Sequence, residues 1–64
     1  MTAVKKTLQE RERELRDRLQ SPGGVAELEA LAANYSEASG VPRASGSVIT
    51  YILVYERGLG MFRP

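Results

Sequence analysis

Ser47-Val48-Ile49-Thr50-Tyr51-Ile52-Leu53-Val54-Tyr55-Glu56-Arg57-Gly58-Leu59 is the stretch on which the fold turns. β-Branched and aromatic residues crowd it, and such side chains suit the pleated surface of a strand. Its flanks favour a helix. Ser47 is a good N-cap, and Gly58 stands where a left-handed capping glycine belongs. Leu59 would then close back onto Leu53 or Val54. A strand also needs an edge to pair with, and no other segment of this chain reads as a strand. A helix over about 48–57 is therefore the first expectation. The alternative keeps the helices described next and pairs this segment, as a C-terminal strand, with its equivalent in another chain.

Upstream, Val4, Leu8, Leu15 and Leu19 share one helical face and predict a helix over 3–20. That stripe is thin. Arg11 and Glu12 stand where the next apolar residue belongs, which predicts a solvated middle turn. Glu12/Arg16 and Glu14/Arg18 are helical pairs in the favourable order. Ser21-Pro22 reads as a restart, with Ser21 capping a second helix over 22–39 and Pro22 at its first position. Val25, Leu28, Leu31, Ala32 and Tyr35 form its apolar face. Ser39-Gly40-Val41-Pro42 predicts its end: Gly40 takes the left-handed cap, Val41 folds back onto Tyr35, and Pro42 forbids continuation. The fold class is thus all-α, a helical hairpin with a third helix packed across it in one domain over 1–64. The tail from Gly60 onward is expected to fray.

The chain has 64 residues and a net charge of +1, so no global excess of charge directs it to nucleic acid or to a membrane. It contains no cysteine and no histidine. That removes disulfides, thiolate chemistry, the commonest metal ligands and the usual general base. No catalytic, cofactor-binding or metal-binding residue is nominated, and a non-enzymatic role is expected. The carboxylates mostly have an arginine one helical turn away, which marks solvated faces. No apolar run is long enough to cross a bilayer or to form a signal peptide, so a cytoplasmic setting is expected. Charge is uneven along the chain: the first helix is basic on balance, while Glu27, Glu29 and Glu37 stand in a second helix with no base, so the two should attract.

The segment 48–55 is apolar on nearly every face, and two short helices cannot wrap a third completely. Val48, Ile49, Ile52, Leu53 and Tyr55 are therefore the expected interaction surface. The first functional reading is a non-enzymatic interaction module that forms a homo-oligomer, with a dimer as the simplest form and a different protein as a further partner.

Ala38-Ser39-Gly40-Val41-Pro42-Arg43, preceded by Leu31-Ala32, resembles the turn of bacterial helix-turn-helix regulators. That resemblance implies a small DNA-binding regulator, with contacts from Arg43, Ser45, Ser47 and Arg57. The sequence departs from the pattern in two ways. Gly46 stands early in the recognition segment, and the residues placed to read bases are Val48, Ile49, Ile52 and Leu53, which carry no hydrogen-bonding groups. The closing segment, Ser-Val-Ile-Thr-Tyr-x-Leu-Val-Tyr-Glu-Arg, is also similar to the end of some short uncharacterised bacterial proteins. That likeness implies no activity.

Overall fold

The computed structural model describes residues 5–43 and 46–63. It contains three helices, α1 (Leu8–Gln20), α2 (Gly24–Ser39) and α3 (Val48–Gly58), each packed against the other two. The deciding stretch is helical, and the strand alternative is overturned. Helical periodicity explains the choice: it turns Val48, Ile49, Ile52 and Glu56 onto one face, and all four are buried. Period-two alternation would instead have split Ile49 from Ile52. With α1 and α2 on one side to pack against, the burial of that face outweighs the strand propensity of its residues.

Leu15, Leu28, Ala32, Val48, Ile49 and Ile52 form the core, and Leu19, Leu31, Tyr35, Tyr51 and Leu53 close around it. Leu15 and Leu19 attach α1, as their spacing implied. Val4 lies outside the described residues. The helix starts at Leu8 rather than at residue 3, because Thr7 and Glu10 form a reciprocal capping box. The Thr7 hydroxyl accepts from the Glu10 N–H at 3.2 Å, and the Glu10 carboxylate accepts from the Thr7 N–H at 2.9 Å. The bond from the Thr7 backbone holds the Glu10 carboxyl below the usual carboxylate range.

The first turn also departs from expectation. Ser21 closes α1 instead of opening α2: its hydroxyl donates back to the Asp17 carbonyl at 3.1 Å, so it is not free to cap forward. Gly23, at φ 76°, takes the N-cap position of α2, and Pro22 belongs to the turn. A side chain at Gly24 is impossible without moving backbone, since a Cβ there would lie 1.6 Å from the Arg18 carbonyl oxygen. Glycine at this point lets the two helices approach, and Arg18 and Glu27 then pair across them at 3.2 Å.

The end of α2 follows the sequence closely. Its last residue is Ser39, and Gly40, at φ 73°, donates its N–H to the Ser36 carbonyl. Val41 does not fold back; it is 57% exposed. Its carbonyl is the anchor instead, accepting from the Ser36 hydroxyl at 2.8 Å and the Tyr51 hydroxyl at 2.9 Å.

At the far end, α3 runs through Gly58, and the left-handed glycine is Gly60 rather than Gly58. Leu59 is 58% exposed and does not close onto the helix. The tail through Arg63 is tied down rather than frayed. Phe62 bridges in parallel to Lys6, the Arg63 N–H donates to the Lys6 carbonyl at 3.1 Å, and the Lys5 ammonium donates to the Gly60 carbonyl at 2.8 Å. These contacts join the start of α1 to the end of α3, so the two helices run antiparallel.

Candidate interaction face and the buried ion-pair network

Glu56 is fully buried, in a domain too small to bury a charge without a partner for it. Arg11 supplies the partner through a two-pronged bond, with Nε to Oε1 and Nη2 to Oε2 both at 2.8 Å. The Tyr35 hydroxyl donates to the same Oε2 at 2.6 Å. One residue from each helix thus meets at a single carboxylate, and the planar guanidinium matches it geometrically. Arg11 also bonds to Glu14, which Lys6 bonds in turn; the Lys6 and Arg11 bonds hold the Glu14 carboxyl below the usual range. The hydrogen bond to Glu56 pushes Arg11 up and keeps it charged. Arg11 therefore turns inward, which corrects the expectation of a solvated middle turn in α1.

Burial, and then the bond to Glu56, push the Tyr35 phenol up to about 12 from its ordinary 10.0. Tyr35 also stacks on Tyr55, with ring centroids 4.2 Å apart and planes 18° from parallel. A phenol whose folded pKa is raised contributes stability that is complete below the unfolded value. That contribution is lost as pH rises through the folded one. The chain should therefore lose stability between about pH 10 and pH 12. Absorbance titration of the phenolates, with Tyr35→Phe as control, checks this: the variant should lack the highest step. A parent showing no ionisation above that of the variant would contradict the assignment.

No solvent reaches the Glu56 carboxylate, and Arg11 and Tyr35 engage both of its oxygens. Among the described residues no cluster of acidic side chains stands ready to hold a metal ion.

Of the five residues expected to form an interaction surface, Val48, Ile49 and Ile52 are buried in the chain's own core. They cannot also be offered to another molecule while this packing holds. Leu53 and Tyr55 are half-buried. The outward side of α3 presents Thr50, Val54 and Arg57 instead, and Val54 is 62% exposed. Two shallow depressions meet there. Leu8, Leu53 and Arg57 line one, between α1 and α3; Val41, Pro42 and Tyr51 line the other, beside the α2–α3 connection. Thr50 and Val54 form the ridge between them. The sequence reading missed Leu8 and Val54 as surface residues. Their signal was the helical period itself, which places Val54 opposite Ile52 once Ile52 points inward.

Of the residues of the DNA-binding alternative, Arg43 and Ser47 stand near each other before α3, and Arg57 stands near its far end. Arg43 bonds to Glu29 and to the Gly46 carbonyl, the latter at 3.2 Å. Ser47 is exposed at the start of α3 without a capping bond from its side chain, and Arg57 is exposed near the other end. Ser45 lies outside the described residues. The connection from α2 to α3 spans residues 40–47, longer than the turn of about three or four residues that a helix-turn-helix uses.

No helix among the described residues is long and apolar enough to cross a membrane. Compared with known proteins, the chain matches no family model, no curated protein and no solved structure.

Proposed function

We propose that this chain is a non-enzymatic interaction module that associates with itself through the outward face of α3. The observation that carries the reading is the exposure of Val54, 62%, on a ridge flanked by Leu8, Leu53 and Val41. The inner face of α3 is used by the chain's own core, while its outer face still presents Val54 between Thr50 and Arg57, with Leu8, Leu53 and Val41 beside it. A contiguous apolar patch with a charged rim suits protein association. Burying a valine of this kind contributes roughly 1.5–3 kcal/mol. The segment expected from the sequence is retained, but with its opposite side as the contact. The absence of cysteine fits a reducing, cytoplasmic setting.

Sedimentation equilibrium tests the reading. The parent should self-associate, and its melting temperature should rise with concentration. Val54→Asp should be monomeric at the same concentrations. Its fold should persist, because a substitution at so exposed a site changes stability by only about 0.5 kcal/mol. A parent that remains monomeric up to millimolar concentration, or a Val54→Asp variant that associates as the parent does, would remove the proposal.

A further inference from the structure

One end of the α3 face carries the cation Arg57, and the other carries the acid Glu12 in a surface pair with Arg16. Because α1 and α3 are antiparallel, Leu8 lies beside Val54 and Arg57, while Glu12, one turn further along α1, lines the adjoining depression with Arg16, Ser47 and Thr50. Arg57 is exposed and makes no ion pair among the described residues. Glu12 bonds only to Arg16 among them, through Oε2 at 2.9 Å, and that pair is at the surface.

We propose that the occupant of this face is a second copy seated antiparallel about a two-fold axis near Val54, so that Arg57 of each copy meets Glu12 of the other; this rests on the self-association reading above. A two-fold axis lying across the helix in the contact plane reverses direction along α3 and keeps each copy's α1 on the same side. It therefore sets the Arg57 end of one copy against the Glu12 end of the other. It also repeats the contact, giving two such pairs per dimer. Parallel seating would align like ends, leaving both arginines without an acid. Antiparallel seating also brings Thr50 opposite Gly58 of the second copy. Among the described residues nothing lies within 4 Å of where a Cβ at Gly58 would stand, so none of their contacts requires glycine there. A neighbouring helix approaching the α3 ridge closely would.

The test uses two surface variants of the full chain, Arg57→Glu and Glu12→Arg, measured by sedimentation at low salt, where screening is least. Alone, each variant faces like charges across both contacts and should bind itself at least about tenfold more weakly than the parent. Mixed in equal amounts, the two should regain the parent's affinity, because their heterodimer restores an acid–base pair at both contacts. The double variant in one chain should regain it as well. Melting curves of each variant confirm that the fold is kept. A mixture no tighter than the separate variants, with Val54→Asp still dispersing the parent, would overturn the antiparallel seating and leave the face intact. A parent that never associates would overturn both.

Discussion

Glu56→Ala should leave the chain largely unfolded at room temperature. The substitution strands Arg11, whose side chain is only 21% exposed, and deprives the Tyr35 hydroxyl of its acceptor. It also opens a void where three helices meet. Breaking a buried ion pair by removing one partner typically costs about 3–5 kcal/mol. A single core of this size rarely supplies more than about 3–5 kcal/mol in total. Retention of Glu14 as a partner for Arg11 moves the loss toward the lower end of that range. Replacing the pair as a unit should behave differently. Arg11→Met with Glu56→Leu removes both charges together, and Tyr35→Phe removes the orphaned hydroxyl. Such apolar replacements are often neutral or stabilising. Urea denaturation followed by circular dichroism checks both: the single variant should show little or no folded baseline, and the triple variant should recover one. A Glu56→Ala protein as stable as the parent would show that the network contributes nothing to the fold.

The same network marks the limit of what the sequence made legible. Arg11 falls on the inward stripe of α1 between Leu8 and Leu15, and Glu56 falls one turn after Ile52 on the inward stripe of α3. Each alone looks like a break in an apolar pattern, and a break is ordinarily assigned to solvent. Only the two together, of opposite sign and on facing stripes, announce a buried pair. That inference needs the helices to be set side by side first. The end of α2 was legible because Gly40 and Pro42 act locally. The capping box at Thr7 and Glu10 was equally local, but an apolar Val4 in register extended the expected helix past it. The tie between Lys6 and Phe62 has no local signature, since backbone pairing across the whole chain length does not depend on residue type. The close turn at Gly24 depends on the approach of α1, which no pattern within α2 records. For the proposed interaction face, the apolar character of 48–55 was evident, but its inward and outward sides were not separated.

That separation makes Ile52 and Val54 the decisive pair for the whole account. Ile52 is fully buried among Leu15, Leu28 and Ala32, side chains of the same chain. Ile52→Ala should lower stability by about 2–5 kcal/mol through lost transfer and a residual cavity. Ile52→Asp should abolish folding, because a carboxylate would be driven into an apolar seam with no partner. These losses belong to the single chain. The milder Ile52→Val, costing about 0.5–1.5 kcal/mol, should therefore lower the melting temperature equally at every concentration while the dependence on concentration persists. Val54→Asp should do the reverse, removing that dependence and sparing the fold at low concentration. If Ile52→Val instead changed only the slope against concentration, its side chain would belong to a contact between copies. The packing of α3 against α1 and α2 would then be wrong at its centre.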